Sequence, residues 1–118
     1  MITNFENITG EMTEDEKKLV PIIIRGFTAY GKDNPIKAPE IIKRLKLKGY
    51  KISEPRLRKI VNFIRAESIL PLIATSKGYF VSYDREVVAE QIKSLEERAD
   101  SISHSAQGLR KFLNQKTQ

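Results

Sequence analysis

Residues 37–65 read KAPEIIKRLKLKGYKISEPRLRKIVNFIR, and this stretch is the best guide to the fold. Its apolar residues recur at helical spacing in two blocks, and Gly49 lies between them as a natural helix stop. Pro39 and Pro55 each suit the first turn of a helix, where the missing N–H has no intrahelical partner. The stretch therefore predicts two short helices joined by a tight turn. The predicted inward residues are Ile41, Ile42 and Leu45 in the first helix and Leu57, Ile60, Val61 and Ile64 in the second.

The same stretch concentrates the positive charge of the chain. It holds ten Lys or Arg residues and two acids, a local net charge of +8 that exceeds the +6 of all 118 residues. A pI near 9.6 favours polyanionic partners such as DNA, RNA or an anionic membrane surface. A basic pair of helices separated by a turn is the arrangement that a DNA-binding helix-turn-helix uses.

The segment before this stretch predicts one further helix. Thr13 and Glu16 fit a capping box, and the apolar spacing continues to about residue 30. Pro21 lies inside this pattern, so we expect the helix to kink or restart there. Residues 35–37 are predicted to form a very short strand.

The segment after the basic stretch predicts a β-hairpin. Two β-rich runs, residues 70–75 and 79–83, flank a turn that contains Lys77 and Gly78. Pro71 restricts the first strand to an edge position. On the second strand Tyr79 and Tyr83 share one face, and Phe80 on the other face is expected to pack in the core.

A long helix is predicted from Arg85 to about Leu113, capped by Asp84. Its apolar residues alternate at steps of four and three, which is the heptad pattern of a coiled coil. Acids and bases balance at six each from Asp84 to Gln118, so this helix is expected to pair with another helix rather than with phosphate. We therefore predict a homodimer, with helix orientation left open, through Val88, Ile92, Leu95, Ala99, Ile102, Ala106, Leu109 and Leu113.

Together these elements predict a mostly helical α+β protein, a winged helix-turn-helix of three helices and a β-hairpin wing followed by a long coiled-coil-like helix. The expected division is a flexible segment over residues 1–12, a winged helix-turn-helix domain over 13–83 and a dimerisation helix over 84–118. With double-stranded DNA as partner, we expect the first basic helix and the turn to bind phosphates and the second basic helix to contact base edges. The wing is expected to reach the neighbouring groove. The predicted DNA contacts are Lys43, Arg44, Lys46, Lys51, Ser53, Arg56, Arg58, Lys59, Asn62 and Lys77.

The sequence lacks the residues on which the usual metal sites and catalytic triads depend. The chain has no cysteine and a single histidine, His104, which falls on the outer side of the heptad pattern. We find no P-loop, no dinucleotide-binding fingerprint and no acid–base pair, so we expect neither enzyme activity nor a metal or other cofactor nor a small-molecule substrate. The longest strongly apolar run, residues 21–24, is far too short to cross a bilayer, and residues 1–16 do not resemble a signal peptide.

Three short motifs carry a resemblance to a known group. The run LRKIVNFIR over residues 57–65, the run SKGYF over 76–80 and the run SLEER over 94–98 resemble patterns of small winged-helix proteins encoded by phages and prophages. Phe80 stands where that group is expected to have a second Tyr. The resemblance covers about residues 17–113, and it implies duplex DNA binding in the cytoplasm of a bacterial or phage-infected cell without defining the process. Our own expectation for the role is transcription regulation.

Bland and rival interpretations stay open at this stage. A basic helix face is often only a solvated surface, and an asparagine in the position of Asn62 is often an ordinary exposed helix residue. Lys77 and Gly78 can also be explained by the turn alone, because glycine readily adopts a positive φ. Winged helices also serve as protein-interaction adaptors, in which the basic face meets an acidic protein surface. A third interpretation is a phage replication protein that holds single strands through the wing aromatics.

Overall fold

The structure is a computed structural model that describes residues 11–116. Within these residues the chain is α+β and mostly helical, as predicted, with one antiparallel hairpin and a long helix at the end. The predicted flexible segment lies mostly outside the described residues, which begin at Glu11. The elements in chain order are α1 (Glu14–Phe27), α2 (Ala38–Leu47), α3 (Glu54–Ala66), β1 (Leu72–Thr75), β2 (Gly78–Val81) and α4 (Arg85–Lys116).

Three helices begin at side-chain caps, and two of these caps, Thr13 and Asp84, are predicted from the sequence. The Glu16 N–H donates to Thr13 Oγ1 at 3.1 Å and the Thr13 N–H donates back to Glu16 Oε1 at 2.8 Å, which completes the capping box of α1. Ser53 Oγ accepts from the first turn of α3, and Asp84 Oδ1 accepts from the Glu86 N–H at 2.9 Å at the start of α4. Each side-chain oxygen satisfies an N–H that has no partner inside its own helix, so these caps fix where the helices start.

The first helix ends earlier than predicted, at Phe27 rather than near residue 30. It is a single element through Pro21, so it does not restart there. The Asn34 side chain closes the following turn, accepting from the Gly31 N–H at 2.9 Å and donating to the Ala29 carbonyl at 3.3 Å. Tyr30 still packs against the core from this turn, which explains why the apolar spacing continues past the end of the helix.

The core of the first unit is built around α3. Leu57, Ile60 and Ile64 are fully buried there. Helices α1 and α2 and the hairpin all pack on α3, and Arg65 Nε donates to the Leu72 carbonyl at 2.9 Å to fasten α3 to β1. The other helices contribute apolar faces at the predicted spacing, namely Leu19, Val20, Ile23 and Phe27 from α1 and Ile41 and Leu45 from α2.

The hairpin is shorter than predicted because β1 begins only after Pro71, which has no N–H to donate, and β2 ends at Val81. Thr75 pairs with Gly78 at the turn end, so Ser76 and Lys77 form the tip. The predicted short strand is an isolated bridge: the Ile36 N–H donates to the Tyr79 carbonyl at 2.9 Å, and the Tyr79 N–H donates back at 2.7 Å.

The chain divides after Tyr83 into two units, and the second unit is α4. Its 32 residues run past the predicted end near Leu113 and make a helix about 48 Å long. Most of its apolar residues beyond Leu95 are exposed, with Leu109 at 70%. Among the described residues, no helix combines the length and apolar character that crossing a membrane requires.

Candidate nucleic-acid interface

The predicted DNA contacts lie on α2, on the turn before α3, on α3 and at the hairpin tip. Four of them, Lys43, Lys46, Lys51 and Lys77, are exposed and form no side-chain hydrogen bond or ion pair with another described residue. Their ammonium groups are therefore available to an external anion. Ser53 is also exposed, and its hydroxyl serves as the cap of α3.

Arg44 is exposed but engaged. Its Nε lies 3.1 Å from Glu40 Oε2, its Nη1 donates to the Tyr30 hydroxyl at 2.6 Å, and its guanidinium carbon lies 5.8 Å from the centre of the Tyr30 ring. The hydrogen bond to Glu40 raises the pKa of Arg44, and the Tyr30 oxygen adds to the effect. An exposed pair of this kind contributes little to stability, so a phosphate can replace the carboxylate at small cost.

Arg58 and Asn62 lie on the outward side of α3. Arg58 Nη1 is 3.6 Å from Glu54 Oε1 one turn earlier, and both side chains are about half exposed. Asn62 is half-buried. A weak surface ion pair leaves Arg58 free to turn toward a base edge or a phosphate.

Arg56 and Lys59 converge on one buried carboxylate, and we call these three residues the Glu16 cluster. The Glu16 side chain is only 3% exposed. Arg56 Nε donates to Glu16 Oε2 at 3.1 Å and Lys59 Nζ lies 2.9 Å from Glu16 Oε1, while the Thr13 N–H completes the shell. Burial raises the pKa of Glu16, but the hydrogen bond from the Thr13 backbone and the hydrogen bond and charge of Lys59 outweigh it, so the pKa lies below its ordinary value.

The Glu16 cluster corrects one expectation about α3. On a helical projection Lys59 points away from the core, yet its side chain is only 13% exposed. The projection assumes a single inward face, whereas α1 packs on a second flank of α3 and places Glu16 there. Lys59 is committed to this internal contact, while Arg56 remains half exposed.

The turn before α3 brings one further cation beside this cluster. Lys51 and Arg56 line a shallow cleft of about 260 Å³ together with Lys18 of α1. Lys37 and Lys48, which the predicted site omits, are also exposed and have no intramolecular side-chain partner among the described residues. Both belong to the basic stretch, so its charge density was the signal that pointed to them.

The aromatic residues of the hairpin divide between burial and exposure. Phe80 is buried, as predicted, and Tyr79 makes an edge contact with Phe27 at 5.8 Å between ring centres. Tyr83 is exposed. A stacking surface for bases would therefore have to use Tyr83 rather than the paired strands.

A mostly apolar groove lies between α1 and α2, and nothing in the sequence pattern predicts it. It measures about 660 Å³ and is lined by residues that include Ile22, Gly26 and Leu47, and Leu47 is 80% exposed. Lys43 and Lys48 stand at its edge. A large exposed leucine beside an apolar groove is typical of protein-binding surfaces.

No family model matches the chain, and no curated protein or solved structure matches it either. Within residues 11–116 no group of three His, Asp or Glu side chains is placed to hold a metal ion. A function for this chain therefore has to be inferred from its surface.

Proposed function

We propose that residues 13–83 form a winged helix-turn-helix domain that binds duplex DNA and that α4 joins two such domains into a dimer. The order of elements supports this proposal: a helix, a strand-like residue bridged to the hairpin at Ile36, two helices joined by a turn, and then the hairpin. In a winged helix the third helix enters the major groove and the hairpin reaches the adjacent groove.

The observation that carries the proposal is the placement of the unpaired lysines. Lys43 and Lys46 lie on α2, Lys51 lies in the turn and Lys77 lies at the hairpin tip, and all four are exposed without an intramolecular partner among the described residues. Three separate elements thus offer cations to a backbone of phosphates. Each phosphate contact releases a counterion, which makes binding favourable at low salt and salt-dependent.

In this proposal the residues of α3 have two different roles. Arg58 and Asn62 are the side chains that reach base edges, because Arg pairs with guanine O6 and N7 and Asn pairs with adenine N6 and N7. Lys59 orients α3 from the buried side, and Arg56 holds Glu16 while its exposed half faces solvent. Two domains on one dimer would place two copies of α3 on two half-sites, as a cytoplasmic phage or bacterial transcription regulator does.

A binding titration of the full chain tests the proposal. We expect micromolar protein to raise the fluorescence anisotropy of a labelled random-sequence duplex at 50 mM salt, and the affinity to fall steeply as salt increases. A Lys43→Ala/Lys46→Ala/Lys51→Ala variant is expected to lose most of this binding, and Lys17→Ala/Lys93→Ala is the control, because neither lysine belongs to the proposed surface. Absence of binding at low salt, or equal loss in both variants, contradicts the proposal.

The groove between α1 and α2 favours a second candidate, a protein-interaction adaptor. Its exposed Leu47 and basic edge suit an apolar segment flanked by acids. The Leu47→Ser variant distinguishes the two functions, because it is expected to keep DNA affinity if DNA is the partner. Competition between single-stranded and double-stranded probes separates the replication-protein alternative.

A further inference from the structure

We infer that two copies of α4 pair antiparallel and over their full length, with the midpoint of the pair between Asp100 and Ser101. This inference rests on the proposed dimerisation through α4 and adds the orientation and register, which the heptad pattern leaves open. It is drawn from the charge distribution of the helix and from the order of large and small residues along its seam. The seam is the apolar stripe formed by the eight predicted dimerisation residues from Val88 to Leu113.

The two halves of α4 carry opposite charge although the helix as a whole is neutral. Residues 84–100 contain six acids and three bases, a net charge of −3, and residues 101–118 contain three bases and no acid, a net charge of +3. A parallel pair would place −3 beside −3 and +3 beside +3. An antiparallel pair places each acidic half beside a basic half, and with helix axes about 8–10 Å apart these charges lie within about one Debye length at 0.1 M salt or below.

The seam residues give the same orientation independently of charge. In an antiparallel pair centred between residues 100 and 101, every heptad a residue faces a d residue of the second copy, and each alanine faces a large side chain. The eight layers form four distinct pairs that each occur twice, namely Val88 with Leu113, Ile92 with Leu109, Leu95 with Ala106 and Ala99 with Ile102.

Parallel pairing in register gives a poorer seam. It sets Ala99 against Ala99 and Ala106 against Ala106, which leaves two under-filled layers between larger ones. Alternating large and small residues across facing positions fills a helical interface at native density, and under-filled layers cost stability. The antiparallel register therefore packs the same residues more evenly.

The apolar side chains of this seam are exposed and need a partner helix to bury them. Leu109 and Leu113 are 70% and 66% exposed, and Ile92 and Ile102 are both more than two-fifths exposed. These side chains recur along one side of a continuous helix of 32 residues. A second copy of α4 presents the same apolar residues at the same heptad spacing and would therefore cover these side chains.

Cysteine cross-linking tests the orientation directly, because the natural chain has no cysteine. Ile92→Cys and Leu109→Cys are prepared as full-length single variants, one with a tag that separates the products by mass. The two are mixed under reducing conditions to exchange partners and are then oxidised in a glutathione buffer. The antiparallel pair opposes residue 92 to residue 109, whereas the two copies of residue 109 lie 17 residues or about 25 Å apart, far beyond the roughly 7 Å that a disulfide spans.

The expected result is a mixed disulfide in large excess over both self-linked products. Self-linked products in excess mean parallel pairing and overturn the inference. Cross-linking no greater than that of the outward control His104→Cys also overturns it, because the seam would then not be where two copies meet. Sedimentation of the unmodified chain separates the two claims: a monomer at micromolar concentration removes the proposed dimer itself, whereas a dimer with self-linked products removes only its antiparallel orientation, and DNA binding is measured apart from both.

Discussion

Lys59 Nζ lies 2.9 Å from Glu16 Oε1, and this contact ties the first turn of α1 to the middle of α3. Because Glu16 is almost fully buried and also accepts from Arg56 and from the Thr13 N–H, one carboxylate fixes the orientation of the helix proposed to enter the major groove. Arg56 and Lys59, the cations nearest to that carboxylate, therefore serve mainly to stabilise the fold. The exposed lysines of α2 and the turn provide the proposed phosphate contacts.

Removal of this carboxylate is expected to destabilise the first unit. Glu16→Ala removes the partner of Lys59 and breaks the capping box, and we expect a cost of about 2–3 kcal/mol because Lys59 and Arg56 both still reach solvent. Urea unfolding of the full chain followed by circular dichroism measures this cost. Glu14→Ala is the matched control, because its exposed carboxylate contacts only Lys17 at 3.5 Å and should cost less than about 1 kcal/mol. Equal losses of unfolding free energy in the two variants would show that the Glu16 cluster contributes no more to stability than an exposed ion pair.

The pH dependence of stability should report the same cluster. The pKa of Glu16 is lower in the folded chain than its ordinary value of 4.5. Its contribution is therefore fully present above pH 4.5 and is lost as the pH falls through the lower folded pKa. We expect the difference in unfolding free energy between the natural chain and Glu16→Gln to shrink when urea titrations move from pH 7 to pH 3. A difference that stays constant over this range would contradict an ionised Glu16 in the fold.

A glycine at the end of the hairpin turn gives a third prediction. Gly78 has φ of +130°, and a Cβ atom there would lie 2.6 Å from the Ile36 carbonyl oxygen that accepts from the Tyr79 N–H. Gly78→Ala is therefore expected to destabilise the fold by about 1–3 kcal/mol through strain and loss of the Ile36 bridge. Gly26→Ala is the control, because it lies in α1 with open space around it and should be neutral or stabilising by up to about 1 kcal/mol. Thermal unfolding of both variants checks the contrast, and a neutral Gly78→Ala would refute it.

The proposed phosphate contacts and base contacts should differ in how their loss changes the dependence of DNA affinity on salt and on sequence. Lys43→Ala removes a phosphate contact, so we expect it to weaken all sequences alike and to reduce the slope of log affinity against log salt by about 0.9. Arg58→Ala removes a base contact and should relax sequence preference by about 1–3 kcal/mol at one position. Anisotropy titrations of a selected and a scrambled duplex over a salt series measure both effects. Identical behaviour of the two variants would end this assignment of roles.

Local features of the fold could be predicted from the sequence because their causes lie within a few residues. The capping box of Thr13 and the cap of Asp84 depend on contacts inside one turn of helix. The inward spacing of α3 follows from the 3.6-residue repeat of the helix. The partner of Lys59 could not be predicted in this way, because it depends on which flank of α3 receives α1. The same holds for Gly78: its positive φ follows from the turn, but the close approach of Ile36 depends on a bridge between distant segments.

The charge of the distal half of α4 gives the last prediction. Arg110→Glu/Lys111→Glu changes that half from +3 to −1, so an antiparallel dimer loses attraction to the acidic half and should dissociate about tenfold more readily at low salt. A parallel dimer would instead be relieved of repulsion and bind more tightly. Sedimentation equilibrium at 50 mM and 500 mM salt distinguishes the two, since screening should remove most of the effect. Adding Glu96→Lys/Glu97→Lys to the same chain restores opposite charges on the two halves and is expected to recover dimerisation, which excludes simple fraying of the helix end as the cause.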